Sequence, residues 1–140
     1  MTAARLLHAS CVAVDGRGLL ILGPSGSGKS ALALQLMALG ADLVSDDQTE
    51  VRLEGATLIA RCPPTIHGLI EARGVGILRA SALAETALAL AVDLGQTETD
   101  RLPPRRSVTL FDYALDLVFG NQSRHFPSAL LCYIKGARLQ

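Results

Sequence analysis

Several short stretches carry residue types at spacings that could do chemistry. The first is GPSGSGKS, residues 23–30, which fits the pattern G-x-x-x-x-G-K-[ST]. Gly23, Gly26 and Gly28 let the backbone turn sharply, so that successive N–H groups point inward at phosphate oxygens. Pro24, Ser25 and Ser27 fill the variable positions of that loop. A helix beginning near Lys29 adds the positive end of its dipole. Lys29 can reach the β- and γ-phosphates, and the Ser30 hydroxyl is placed to ligate Mg²⁺. The ordinary reading is a glycine-rich turn capped by serine. The four fixed positions arise by chance in roughly one chain in a few hundred of this length. The loop therefore reads as a holder for a nucleoside triphosphate such as ATP.

Transfer of a phosphoryl group needs more than the loop. A base or positioning group must meet the acceptor, and cations must surround the moving charge. Asp46-Asp47 closes the short apolar run that follows the loop's helix. The carboxyl ends of parallel strands lie on the ligand side of such a sheet. One carboxylate can hold Mg²⁺ while the other accepts a hydroxyl proton. Adjacent strand side chains point opposite ways, so the residue types alone do not say which one is the base. His8 precedes the turn into the loop strand and is otherwise an ordinary polar strand residue. Glu71 and Arg73 lie two apart in an apolar stretch, and at strand spacing they share a face. Glu71 could bind metal and Arg73 could pair with phosphate, or the two could simply pair with each other. Arg101, Arg105, Arg106 and Arg124 are further candidates for clamping phosphate, although loop arginines are usually just solvated.

These residues need elements to hold them. Leu6 to Val14, the turn Asp15-Gly16-Arg17-Gly18 and Leu19 to Leu22 predict a hairpin. Ser30 to Leu39 predicts a helix, with Gly40 as its C-terminal stop. Ala41 to Ser45 predicts a strand. Glu50 to Leu53 and Ala56 to Ala60 predict a second hairpin around Glu54-Gly55. Cys62-Pro63-Pro64 breaks the pattern. Ala80 to Leu94 reads as a helix followed by a strand. Gln96 to Arg106, with Pro103-Pro104, reads as a loop. Val108 to Phe111 and Leu115 to Phe119 read as strands, and Ser128 to Lys135 as a terminal helix with Pro or Ser at its head. The glycine loop thus sits between a strand and a helix, the context its pattern requires.

The whole chain sets bounds. Its 140 residues suit a single domain, and half of them are apolar. Its 13 basic and 13 acidic residues cancel, which argues against a nucleic-acid or anionic-membrane binder. There is no Trp, and aromatic residues are few, so stacking platforms for single strands are not expected. Cys11, Cys62 and Cys132 are odd in number and lack CxxC spacing. That favours a reduced compartment over zinc or a disulfide framework. The opening MTAARLLHASCVAVDG lacks a long apolar core with a cleavage site, and its apolar runs are too short to span a bilayer. A cytoplasmic protein is expected.

His8, GPSGSGKS, LVSDD (43–47) and LIEARGVGI (69–77) stand in an order and at spacings that resemble the HPr kinase/phosphorylases, over roughly the first 80 residues. The last block resembles that family's signature segment, E-x-R-G-x-G-I. The tail, with RLPPRR (101–106) and FPSALLCYIKGAR (126–138), resembles the short alphaproteobacterial forms, which consist of the catalytic domain without the additional N-terminal domain of longer members. The resemblance implies an α/β fold: a P-loop kinase domain over residues 1–140, with a central mixed sheet, flanking helices and β-hairpins. It implies a serine kinase that uses ATP and Mg²⁺ to phosphorylate HPr, the small phosphocarrier of a phosphotransferase system. In reverse, inorganic phosphate would attack phosphoserine-HPr and release pyrophosphate. By position, Lys29 and the loop bind ATP, Ser30 and Glu71 ligate Mg²⁺, an aspartate of the Asp46-Asp47 pair is the base, and His8 tunes it or contacts phosphate. Arg73 supports the site. Arg124, in FGNQSRHF (119–126), takes the place of the family's catalytic arginine, although the usual Pro-Gly-Arg pattern is missing there. The family's hexameric assembly is implied too.

Two other function classes compete. A small-metabolite kinase with the same loop would turn over ATP with its metabolite and not with HPr. A nucleotide- or phosphate-sensing module would bind ATP with Mg²⁺ and turn over nothing. Asp46-Asp47 and Glu71 argue against the second, and Pro103-Pro104 makes a poor lid for the first.

Overall fold

The computed structural model describes residues 3–139. Met1, Thr2 and Gln140, the ends of the single domain expected over residues 1–140, lie outside the described residues. The chain begins with β1 (Arg5–Leu7), β2 (Ser10–Val14) and β3 (Arg17–Leu22). β2 and β3 form the expected hairpin, with Asp15 and Gly16 both at positive φ, 54° and 74°. A turn of that hand matches the right-handed twist of the flanking strands. The single run expected from Leu6 to Val14 is divided, however. The chain leaves strand geometry at His8 and Ala9, and β1 finds a different partner.

α1 (Lys29–Ala38) follows the glycine loop, and its last turn is closed by bonds from the Gly40 N–H to the Met37 carbonyl and from the Ala41 N–H to the Leu36 carbonyl. β4 (Asp42–Ser45), β5 (Thr49–Glu54) and β6 (Thr57–Arg61) come next, β5 and β6 pairing across the expected Gly55 turn. A 3₁₀ turn over Pro64–Ile66 leads to the hairpin of β7 (Leu69–Ala72) and β8 (Gly76–Arg79). Arg73 lies in the turn of that hairpin, so it does not share a strand face with Glu71 as the two-residue spacing suggests.

The helix expected at the start of Ala80 to Leu94 is not formed. The stretch instead yields β9 (Glu85–Thr97), the longest strand. Its Ala and Leu residues favour helix locally, but both of its edges are paired, and sheet context overrides propensity. One edge lies parallel to β3 over Ala87–Asp93. The other meets β6 antiparallel near its start. An extra residue, Ala89, interrupts the register between Leu88 and Leu90. Such a bulge resets which face the side chains take. Leu88 packs on one side of the sheet, whereas Leu90 and Val92 pack on the other.

β10 (Arg106–Leu110) and β11 (Tyr113–Gly120) form a last hairpin, and α2 (Phe126–Gly136) ends the described chain with Pro127 in its first turn. β11 continues along the β6 edge of β9, parallel to it. The main sheet runs β1-β5-β6-β9-β3-β2-β4, with β10 and β11 attached through β9. The β3–β9 and β9–β11 ladders are parallel, and the other ladders between these strands are antiparallel.

Side chains alternate across β3. Leu19 and Ile21 face Leu32 and Leu36 of α1 and Leu130 and Ile134 of α2. Leu20 faces the opposite way, into a second cluster with Cys11, Val44, Val51, Leu58 and Leu115. The helices therefore cover one face, and the β5–β6 and β10–β11 hairpins fold onto the other. Leu36 of α1 is fully buried in the cluster it shares with β3 and α2. Leu36→Ala is expected to lower unfolding free energy by about 2–5 kcal/mol, read as an earlier urea midpoint at unchanged slope. The consequence for chemistry is directional: β3, β9 and β11 deliver their C-terminal ends to one side of the molecule, where ligands of such sheets bind.

Candidate functional site

The loop leaves β3 at Leu22 and enters α1 at Lys29. Gly23, Gly26 and Gly28 have φ of 150°, 81° and 99°. At Gly23 there is also no room: a Cβ there would collide with Ser27 Oγ and touch Leu94. The Ser27 N–H donates to the Pro24 carbonyl at 3.1 Å, which closes the loop on itself. No side chain caps α1, and no acidic residue occupies its first turn. The uncapped N–H groups of that turn are thus open to an anion, and the loop fits a phosphate chain. Lys29 is almost fully buried, and its ammonium donates to the carbonyls of Gly23 at 2.8 Å and Pro24 at 3.0 Å.

The two aspartates divide. Asp46 is 8% exposed, and three donors converge on it. Its Oδ1 accepts from the Ser30 hydroxyl at 2.6 Å and from the Ser10 hydroxyl at 3.0 Å. Its Oδ2 accepts from the Glu71 backbone N–H at 3.1 Å. Asp47 faces the other way. Its φ is 67°, and the Gln48 N–H donates to the Asp46 carbonyl at 2.7 Å across it. That is a three-residue turn of the rarer, strained hand. The turn delivers the Asp47 carboxylate to His8, whose Nε2 lies 2.5 Å from Asp47 Oδ1. Both side chains are more than half exposed, at 58% and 51%.

Ser10 joins the two halves. Its hydroxyl gives its hydrogen to Asp46 and accepts from the Asp47 N–H at 3.0 Å. The sequence reading missed it, because a serine at a strand start carries no signal until its partners, thirty-six residues on, are in place. Glu71 reaches the site from β7 with its backbone on Asp46 and its side chain exposed.

His8, Lys29, Ser30, Asp46, Asp47 and Glu71 line one cavity of about 530 Å³, with Arg73 and Val75 also in its wall. Four stretches far apart in the chain are thereby brought together. Ser30, Asp46 and Glu71 present hard oxygen donors, which suit Mg²⁺. Among the described residues no group of three or more His, Cys, Asp and Glu could hold a metal ion. A cation here would take one or two protein oxygens and complete its shell from phosphate and water, the habit of Mg²⁺.

Of the candidate arginines, Arg73 lines this cavity, and Arg101, Arg105, Arg106 and Arg124 do not. Arg124 lines a second cavity, on the other side of the loop, with Ser27, Leu94 and Asn121. Arg105 donates to the Arg138 carbonyl at 2.9 Å. Arg106 pairs with Glu98 through two bonds of 3.2 Å and lies over the Phe119 ring. The guanidinium holds the Glu98 carboxyl below its usual range. Arg101 is exposed and lines neither cavity. The three cysteines are free, and burial pushes the Cys11 thiol far up, away from reactivity. No helix among the described residues is long and apolar enough to cross a membrane.

Residues 1–102 match the family model of the HPr Serine kinase C-terminal domain. An HPr kinase/phosphorylase of Aromatoleum aromaticum is 42% identical over 113 residues, 71% of this chain and 36% of the relative. One from Clostridium perfringens strain SM101 is 46% identical over 77 residues, 55% of this chain and 25% of the relative. The chain thus spans about a third or less of these relatives' length. The structure of the Hpr(Ser) kinase/phosphatase from Coxiella burnetii superposes with a TM-score of 0.79, at 22% identity, over 94% of this chain and 88% of that one. At that identity the likeness is one of fold: an α/β P-loop kinase architecture with a mixed sheet.

Proposed function

This chain belongs to the HPr serine kinase C-terminal domain family, and on that premise we propose that it transfers the γ-phosphoryl group of ATP to a serine of an HPr-type phosphocarrier protein. Residues 1–140 would act as one P-loop catalytic domain in the cytoplasm, within a homo-oligomer. The observation that carries the reading is the pairing of Asp47 with His8 at the exposed side of a cavity whose inner wall is Lys29 and the loop.

The steps follow from the donors and acceptors. The loop N–H groups and α1 receive the phosphate chain. Lys29 exchanges the carbonyls of Gly23 and Pro24 for phosphate oxygens, which are stronger acceptors for a cation. Ser30 gives its hydrogen to Asp46, so its oxygen lone pairs are free for a metal. Bound Mg²⁺ supplies charge neutralisation on the β- and γ-phosphates. His8 holds the Asp47 carboxylate where an acceptor hydroxyl can enter. That hydroxyl oxygen bonds to the γ-phosphorus, and the bond from phosphorus to the β–γ bridging oxygen breaks. ADP leaves with that electron pair, and the hydroxyl proton passes to Asp47. In the reverse direction inorganic phosphate attacks phosphoserine, Asp47 returns its proton to the serine oxygen, and pyrophosphate leaves.

The test is label transfer from γ-labelled ATP with Mg²⁺ to a purified HPr-type carrier. Label on a carrier serine is the expected result. ATP bound tightly with no label on the carrier would overturn the proposal and favour a nucleotide-sensing module.

A further inference from the structure

The second cavity lies outside the machinery just described. It measures about 360 Å³, within the range of small-ligand pockets, about 300–1,000 Å³. Its place in the fold is specific. β3, β9 and β11 are parallel, and their C-terminal ends supply the glycine loop, Leu94 and Asn121 in that spatial order. Asp46 and Asp47 lie on the opposite side of β3, beyond β2, at the end of β4. The loop therefore has two flanks. The carboxylates and Lys29 occupy one, and this cavity occupies the other.

Gly28 and Ala31 line both cavities. A triphosphate whose terminal phosphate meets Lys29 and Asp47 must carry its remaining half away from them, past the first turn of α1. That path leads into the second cavity. We infer that this cavity holds the nucleoside half of the triphosphate, the purine ring and ribose, an assignment that rests on the proposed use of ATP.

The lining suits that ligand. Leu94, Leu32, Phe126 and Pro127 make apolar walls from β9, α1 and α2. Asn121 accepts the Ser123 N–H on its Oδ1 at 3.0 Å, which fixes the amide and leaves its N–H groups for the acceptor atoms of a base. Gln122 and Arg124 are exposed at the cavity. No Trp exists in the chain to stack on the ring, but a guanidinium plane does the same work on an aromatic face. Arg124 is thus a nucleoside-binding residue rather than a clamp on the transferred phosphoryl group.

Calorimetric titration with ATP and with inorganic tripolyphosphate, both with Mg²⁺, separates the two halves of the ligand. The wild-type protein should bind ATP at least about tenfold tighter than tripolyphosphate. Asn121→Ala and Arg124→Ala should each weaken ATP by about tenfold and leave tripolyphosphate within about twofold. Retained tripolyphosphate binding also shows that the variants are folded. ATP and tripolyphosphate weakened alike, or neither weakened, would overturn the nucleoside assignment and leave the phosphate loop standing. Wild-type protein that binds neither compound would sink the loop reading and this inference with it.

Discussion

Asp47→Asn should lower the rate of phosphate transfer to the carrier by about 10²–10⁴-fold while ATP affinity stays within about twofold. The expectation rests on geometry that separates the two aspartates. Ser30 bonds to Asp46 and Lys29 to loop carbonyls, whereas the Asp47 carboxylate meets His8 at the exposed side of the cavity. Asparagine keeps an oxygen that can accept from His8 Nε2, so the local arrangement survives. What it lacks is a site for the acceptor's proton. Initial rates of label transfer and calorimetric ATP titration check the two halves of the claim. His8→Ala should cost less, because His8 acts through Asp47. An Asp47→Asn protein that transfers label at the wild-type rate would remove Asp47 as the base.

Much of the candidate site, as a set of residues that the fold brings together, was legible in the sequence, and for a physical reason. The loop, the hairpin turns and the first helix are local. Ser30 to Leu39 was expected as helix and Lys29–Ala38 is observed, since glycines and turn residues act within a few positions of themselves. Apart from Arg73, which a local hairpin turn takes off the strand, the failures come from partners distant in sequence. β1 breaks away from β2 because Leu6 pairs with Glu50. β9 is a strand because β3, β6 and β11 occupy its edges. Arg124 sits across the loop from Asp47 because β11 runs parallel to β9 and ends beside Leu94. None of these pairings leaves a mark on the residues that make them. The choice between Asp46 and Asp47 was open on the same ground: a strained turn at Asp47 separates their directions, and neighbouring residues do not encode it.

Asp46→Ala should cost about 2–4 kcal/mol of unfolding free energy and abolish the Mg²⁺ dependence of ATP binding. Asp46 gathers two hydroxyls and a backbone N–H in a nearly buried position. Hydrogen bonds to a charged group contribute about 1.5–3 kcal/mol each, and a buried donor left without a partner costs about 1–3 kcal/mol. These do not add in full, because the hydroxyls of Ser10 and Ser30 can turn to other acceptors. The Glu71 N–H cannot turn; it is fixed in β7, so its loss loosens the tie between β7 and the end of β4. The same change frees the Ser30 hydroxyl to rotate, and the oxygen that would face a cation is no longer aimed. Asp46→Asn sharpens the test. Its remaining oxygen can still accept from both serines, but its amide nitrogen confronts the Glu71 N–H as a second donor. It should therefore recover part of the stability and little of the Mg²⁺ dependence. Urea unfolding of both variants, beside ATP titrations with and without Mg²⁺, reads the two effects separately. Equal stability of Asp46→Ala and wild type would mean that the three donors find other partners. Retained Mg²⁺ dependence in both variants would move the metal's anchor from Asp46 to Glu71.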